Sequence, residues 1–147
     1  MTERDLGRPS AIESRTQLPA LAASAAEARR VARAALQDWG LAALGDTVCL
    51  LVTELVSNGV RHARTTLELV LSFDGACLRI AVADGDRRPP VTGPRQGLRT
   101  GGWGLPLVDA LSTEWGTDID ARGKTVWLEI DTTGARPPAG PGRYPTT

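Results

Sequence analysis

The spacing of apolar residues predicts two helices in the first part of the chain. Over residues 23–39, apolar side chains recur three and four positions apart, which is the spacing of one helix face. Ser24 and Glu27 have the spacing of a capping box, in which both side chains bond free N–H groups of the first turn. A second helix with a wide apolar face is predicted from Asp46, a good N-cap, to about His62.

Alternation of apolar and polar residues predicts two β-hairpins and an edge strand. Residues 66–73 alternate, an Asp-Gly turn signal follows, and the returning strand ends near Asp84. The second predicted hairpin consists of residues 115–119 and 125–130. Residues 11–18 are predicted to form a short edge strand of the same sheet.

A long segment without periodicity separates the two hairpins. Residues 85–103 contain five glycines and three prolines, and a loop of this length in a compact domain is mostly a lid or a binding loop. A short helix is predicted to follow at 104–112. The first ten residues are predicted to be a flexible tail, and 134–147, rich in proline and glycine, a disordered one. We therefore expect a single domain at 11–133, with 85–103 as its lid.

The order of the predicted elements is helix, helix, hairpin, long loop, helix, hairpin. This order favours an α+β two-layer sandwich, in which a largely antiparallel sheet carries about three helices on one face. The strict strand–helix–strand alternation of a dinucleotide-binding fold is missing from the pattern. With 147 residues, the chain is long enough for one domain with a hydrophobic core.

Charge and composition narrow the possible functions. The 17 Lys and Arg residues balance the 17 Asp and Glu residues, which argues against direct nucleic-acid binding and against an anionic membrane surface. No apolar run approaches the roughly 18 residues that a membrane span needs, and the polar N-terminus does not resemble a secretory signal. Cys49 and Cys77 lie in apolar runs without a Cys-x-x-Cys motif, which predicts reduced core thiols in a cytoplasmic protein.

The second predicted helix carries two polar residues that suggest chemistry. Glu54 and Asn58 are four residues apart, so they lie on one face of the helix, one turn from each other. Asn58 falls on the apolar side and Glu54 borders it. One interpretation is a pair at the helix boundary that solvent satisfies. The other is a general base beside a magnesium ligand, because an amide oxygen suits Mg²⁺ and a carboxylate one turn away can accept a proton.

Asp84 and a glycine-rich segment suggest a binding site for a nucleotide or another anion. Asp84 has the parity of the apolar positions of its strand, so it is either a turn residue or a buried acceptor for a donor such as a purine amino group. Gly102 and Gly104 open the third predicted helix, where backbone N–H groups favour an anion, although a flexible loop end has the same composition. The segment Gly123-Lys124-Thr125 is not a P-loop, because it enters a strand rather than a helix.

Four segments together resemble the motifs of the GHKL superfamily, which contains the ATPase domains of histidine kinases. The sequence Glu54-Leu-Val-Ser-Asn58-Gly-Val-Arg-His62-Ala resembles the N box of that superfamily, and Asp84 falls where the first glycine box has its aspartate. The second glycine box is matched by Gly102-Trp-Gly104-Leu105, and the last motif by Gly123-Lys-Thr125-Val-Trp127. The four motifs occur in the expected order between about residues 20 and 131.

Within the superfamily, the chain looks most like the small stand-alone anti-sigma-factor serine/threonine kinases of actinobacteria. The phrases LVTELVSNGVRHA and GWGLPLVDAL carry this likeness. The resemblance implies the Bergerat fold, a mixed sheet with three helices on one face and ATP between them. It also implies a protein partner, either a sigma factor or a small anti-anti-sigma protein of the STAS type, and it allows a homodimer.

The resemblance also implies roles for individual residues. Asn58 is expected to ligate the Mg²⁺ that bridges the phosphates of ATP, and Glu54 to be the general base that polarises a serine hydroxyl or a water. Asp84 is expected to accept a hydrogen bond from the adenine amino group, with Thr125 beside it. The residues of the second glycine box that are expected to contact ATP are Gly102, Gly104 and Leu105.

One motif departs from the pattern of the family. The first glycine box, Asp-x-Gly-x-Gly, here has Asp86 and Arg88 in place of its two glycines. This departure leaves two hypotheses open. One is an ATP-dependent kinase that also acts as a switch, and the other is a non-catalytic module that binds a protein and uses nucleotide, or none, to set its shape. A detached catalytic domain of a sensor histidine kinase is disfavoured, because the single histidine, His62, lies within the N box.

Overall fold

A computed structural model of the protein describes residues 11–62, 65–86 and 105–134. The predicted tail at 1–10, most of the predicted lid and nearly all of the C-terminal tail lie outside these residues. The elements in chain order are β1 (Ile12–Leu18), α1 (Ser24–Asp38), a short 3₁₀ turn (Ala42–Leu44), α2 (Gly45–His62), β2 (Leu67–Phe73), β3 (Cys77–Asp84), α3 (Leu105–Leu111), β4 (Glu114–Asp120) and β5 (Gly123–Asp131).

The five described strands form one sheet in the order β1-β2-β3-β5-β4. Each neighbouring pair is antiparallel, so the predicted antiparallel-rich sheet is confirmed and the described part contains none of the parallel pairing of a mixed sheet. β1 and β4 are its edges, as predicted for the first strand. The α+β class is also confirmed, because α1, α2 and α3 accompany this single sheet.

The core lies between the three helices and one face of the sheet. Cross-strand partners such as Leu71 and Ile80, and then Ile80 and Leu128, place their side chains on the same face because the register pairs them directly. The helix residues that pack on this face belong to the same buried cluster, which includes Ala28, Ala32, Leu36, Val48, Leu51, Val52, Leu55 and Val56. The buried residues therefore recur with the period of 3.6 in the helices and of 2 in the strands.

Leu71→Ala is expected to lower the free energy of unfolding by about 2–5 kcal/mol, because Leu71 is fully buried and its loss leaves a cavity between the sheet and the helices. The matched control is Leu21→Ala, since Leu21 is 59% exposed and its loss is expected to change stability by about 0.5 kcal/mol or less. Urea denaturation of both variants measures the difference. Equal midpoints would contradict the assignment of the core.

The predicted capping box of α1 is wrong. Ser24 is the first residue of the helix, not its cap, and its hydroxyl donates to the backbone oxygen of Pro19 at 2.6 Å. Glu27 accepts a hydrogen bond from Arg30 Nε at 3.2 Å, and this hydrogen bond lowers the pKa of the Glu27 carboxyl. The turn before the helix draws Ser24 inward, so neither side chain of the predicted box reaches the free N–H groups of the first turn.

Helix α2 begins at Gly45, so the prediction that Asp46 is its N-cap is wrong, and the helix ends at His62 as predicted. Asp46 lies in its first turn, where a carboxylate favours the positive end of the helix dipole, and accepts a hydrogen bond from Arg33 at 3.1 Å. By length and composition alone, the segment Ala42–His62 is apolar enough to cross a membrane, so the sequence prediction underestimated this run. Half of that apolar window is buried inside the domain, and core helices pass the same test.

The two cysteines do not form a disulfide bond with each other. Cys49 is buried on α2, as predicted for a core thiol. Cys77 begins β3 directly after the turn of the hairpin and is only half-buried. No disulfide bond therefore links the elements that carry the two cysteines.

Candidate functional site

Asn58 lies on the buried face of α2, near the middle of the domain. Its side chain is 4% exposed, and its amide oxygen Oδ1 is removed from solvent and has no hydrogen-bond partner among the described residues. Gly59 follows it and lets α2 approach β2, because a Cβ there would lie 3.1 Å from a methyl group of Leu67. The interpretation that solvent satisfies Asn58 therefore does not hold.

A buried amide oxygen without a partner needs an explanation, because no hydrogen bond in the described fold offsets the free energy that its desolvation costs. A magnesium ion fits, since it prefers oxygen ligands and is commonly held by one or two protein groups together with substrate phosphates. Among the described residues, no three His, Cys, Asp or Glu side chains cluster to hold a metal on their own. A metal at Asn58 would therefore share its ligands with a second molecule.

Glu54 lies one turn before Asn58 on the same helix and is half-buried. Among the residues that the structure describes, no side chain forms an ion pair or a hydrogen bond with its carboxylate. An unpaired carboxylate at the border of a buried polar site is available to accept a proton or a hydrogen bond from a bound molecule. The spacing predicted from the sequence is thus present, and among the described residues neither the Glu54 carboxylate nor Oδ1 of Asn58 has a competing partner.

Asp84 ends β3 on the helix side of the sheet and is 8% exposed. Its Oδ1 accepts a hydrogen bond from the backbone N–H of Asp86 at 2.8 Å, so it does serve as a turn residue. It is also a buried acceptor, because Nζ of Lys124 lies 3.2 Å from Oδ1 and 3.1 Å from Oδ2. Asp84 is therefore both a turn residue and a buried acceptor, and its contact with a purine amino group stays a prediction.

The backbone around Asp84 is held in place by two close contacts. The hydroxyl of Thr65 accepts a hydrogen bond from the N–H of Gly85 at 2.9 Å. Gly123, the first residue of β5, has a φ of 150°, and a Cβ there would lie 1.9 Å from the carbonyl oxygen of Asp84. Only glycine allows this approach of β5 to the end of β3, and the approach fixes the position of the carboxylate.

The expectation that Thr125 lies beside Asp84 is wrong. The register pairs Asp84 with Lys124, and it pairs Thr125 with Ala83. Side chains alternate along a strand, so Thr125 lies on the face of the sheet opposite the helices. Trp127, two residues further, is on that same face, where the guanidinium of Arg79 lies 5.1 Å from its ring centroid.

Lys124 is the site residue that sequence analysis missed. The prediction placed it in the turn before β5, whereas the strand begins at Gly123 and Lys124 is its second residue. The signal was present in the alternation, because residue 124 has the parity of the buried Val126 and Leu128. Because lysines are rarely fully buried, the residue type itself gives no signal of a core position.

A second buried carboxylate lies on α3. Asp109 is 2% exposed and accepts a hydrogen bond at its Oδ1 from the indole N–H of Trp115, at 3.2 Å, which links α3 to β4. Leu105 begins α3, as the motif predicts. Gly102 and Gly104 lie outside the described residues, so their expected role at the phosphates stays a prediction.

The antiparallel sheet with its three helices is an α+β fold consistent with a GHKL-type ATPase domain. The chain belongs to the histidine kinase-like ATPase domain family, whose sequence profile matches residues 18–130. No curated protein sequence is significantly similar to the chain. The resemblance of the motifs to the GHKL superfamily is thereby confirmed.

Proposed function

We propose that the protein is an ATP-binding regulatory protein of the anti-sigma-factor type, a serine/threonine kinase that phosphorylates a small STAS-type partner in the cytoplasm. The observation that carries the proposal is the buried, unpaired Oδ1 of Asn58, one helical turn from the unpaired carboxylate of Glu54. The packing of an apolar core does not require an amide and a carboxylate here, whereas phosphoryl transfer needs a metal ligand and a base at this spacing.

In the proposed reaction, Asn58, Glu54 and Asp84 have different roles. Asn58 would hold Mg²⁺ together with the phosphates, and the ion supplies neutralisation of their negative charge. Glu54 accepts the proton of the partner's serine hydroxyl, and the serine oxygen bonds to the γ-phosphorus of ATP. The bond between the γ-phosphorus and the β-phosphate oxygen breaks at the same time, so that ADP leaves. Asp84, which is buried, accepts a hydrogen bond from the adenine amino group, directly and through water.

The zero net charge of the chain supports a protein partner rather than nucleic acid. The proposed partners are a sigma factor and an anti-anti-sigma protein of the STAS type, and a homodimer is the proposed assembly. Gly102 and Gly104 are proposed to let the backbone of the lid approach the phosphates. With a single lysine in the chain, and that lysine paired with Asp84, the phosphates would be held by arginines and by backbone N–H groups.

A non-catalytic module that is gated by nucleotide is the second candidate. Two observations favour it: Asp86 and Arg88 replace the glycines of the first glycine box, and the carboxylate of Asp84 is already paired with Lys124. Such a module would bind ATP to set its shape for a partner without transferring the phosphoryl group. Both candidates bind ATP, but only the kinase transfers the γ-phosphoryl group to a partner.

The test is equilibrium binding of ATP with and without Mg²⁺, followed by transfer of labelled γ-phosphate to a purified STAS-type protein. Binding with transfer supports the kinase, and binding without transfer to any such partner supports the gated module. If the wild-type protein binds no ATP at millimolar concentrations, the kinase and the nucleotide-gated module both fail, and only a protein-binding module that uses no nucleotide remains.

Asn58→Ala is expected to weaken Mg²⁺-dependent ATP binding about ten-fold, because one metal ligand is lost, while affinity without Mg²⁺ stays the same. The free energy of unfolding is expected to stay level or rise, because a buried and unpaired amide is removed. Calorimetric titration and urea denaturation measure the two effects. Ser57→Ala, one residue earlier on α2, is the control, and an equal loss of affinity in that variant would remove Asn58 from the metal site.

A further inference from the structure

Lys124 and Asp84 form a buried ion pair inside the proposed base-binding end of the site. Both side chains are 2% exposed, and Nζ lies 3.1 Å from Oδ2 and 3.2 Å from Oδ1. The two residues are direct cross-strand partners of β3 and β5, separated by 40 positions in the sequence. Because the ammonium group lies this close to both carboxylate oxygens, a molecule that contacts Asp84 meets the ammonium group as well.

The hydrogen bonds that the pair already makes leave one acceptor and one donor for a ligand. Oδ1 accepts from both the Asp86 N–H and Lys124, whereas Oδ2 accepts only from Lys124 and keeps a lone pair. The ammonium group has three N–H bonds, two of which serve the carboxylate. The third is directed to the backbone oxygen of Asp86 at 3.4 Å, a long contact that a better acceptor can replace.

We propose that Lys124 is a second base-contacting residue, and that Asp84 and Lys124 together read the 6-amino group and an adjacent ring nitrogen of adenine. The inference rests on the proposed ATP site and assigns its base specificity. Asp84 Oδ2 accepts from the amino group, and Lys124 Nζ donates to N1 or to N7, each of which flanks that amino group. A 6-oxo purine placed in the same pose is rejected, because its oxygen faces the carboxylate.

A competing role for Lys124 is to occupy Asp84 and keep the base out. The two roles predict opposite results, since a base-contacting lysine strengthens ATP binding and a blocking lysine weakens it. The ion pair also keeps the buried carboxylate partnered when no ligand is present, so removal of Lys124 alone leaves an unpaired buried charge. The decisive experiment therefore begins with the wild-type protein.

The first arm measures the affinity of the wild-type protein for ATP, 1-deaza-ATP and 7-deaza-ATP. If Lys124 donates to a ring nitrogen, one of the two deaza analogues binds about ten-fold or more weakly than ATP, because a hydrogen bond from a charged donor is lost. Equal affinity for all three nucleotides overturns the inference and leaves the proposed ATP site intact. The absence of binding by any nucleotide overturns the proposed function itself.

The second arm measures the same nucleotides with Lys124→Met, which keeps the apolar stem and removes the ammonium group. ATP affinity is expected to fall about ten-fold, and the difference between ATP and the weaker deaza analogue is expected to disappear. Tighter ATP binding, or an unchanged difference, overturns the inference. Asp84→Asn combined with Lys124→Met leaves no unpaired charge, and in this variant too the difference between ATP and the deaza analogue must be absent.

Discussion

Glu54→Gln is expected to leave ATP binding within about two-fold of the wild-type value and to reduce phosphoryl transfer by at least about 10²-fold. The glutamine keeps the size of the side chain and its hydrogen-bonding oxygen but cannot accept a proton at this position. Glu54 makes no ion pair among the described residues, so its replacement should not disturb the fold. The measurement is transfer of labelled γ-phosphate to the STAS-type partner under single-turnover conditions.

The control for this variant is Glu114→Gln, which makes the same chemical change at an exposed position of β4. It is expected to transfer phosphate at the wild-type rate. Equal rates for Glu54→Gln and the wild-type protein would remove Glu54 from the role of base. A parallel loss of ATP binding would instead give Glu54 a part in holding the nucleotide.

Gly123→Ala is expected to destabilise the domain by about 3–5 kcal/mol, and to abolish ATP binding in whatever fraction still folds. The new Cβ would lie 1.9 Å from the carbonyl oxygen of Asp84 and 2.8 Å from its carbon, and no rotation of a side chain relieves a backbone contact. β5 must then move away from β3 at the point where Lys124 meets Asp84. Urea denaturation and ATP titration measure the two effects.

Gly75→Ala is the matched control, because Gly75 also has a positive φ, 96°, but a Cβ there meets nothing within 4 Å. Its cost is the backbone strain alone, about 1–2 kcal/mol. The difference between the two variants isolates the close approach of β5 to the end of β3. Equal destabilisation by both variants would show that this approach is not required.

Local sequence patterns were sufficient to predict the helices and strands and the face that each one buries. The period of apolar residues located α1, α2 and all five described strands within a few residues, because those periods follow from backbone geometry alone. The capping box failed for a reason that local patterns do not contain. The hydroxyl of Ser24 found a nearer acceptor, the backbone oxygen of Pro19, in a turn whose shape depends on the packing of α1.

For the candidate site, too, the sequence predicted one part, and the other part depends on how the domain packs. The spacing of Glu54 and Asn58 on one helix face follows from the sequence, because residues four apart on a helix are neighbours whatever surrounds them. The burial of Asn58 Oδ1 without a partner is a property of the packed domain, since it depends on what α3 and the sheet bring to that face. The expected role of Asn58 became specific only when the solvent-satisfied alternative was removed.

By itself, the sequence determined the α+β class, the helix that carries the N box and the strand that ends in Asp84. Only the tertiary structure decided that Lys124, not Thr125, stands beside Asp84. The physical reason is that a strand's own sequence sets which residues share a face, whereas the partner of each residue is set by the register between strands. At this end of the two strands, the register brings Gly123 against the backbone of Asp84, a contact between residues far apart in the chain.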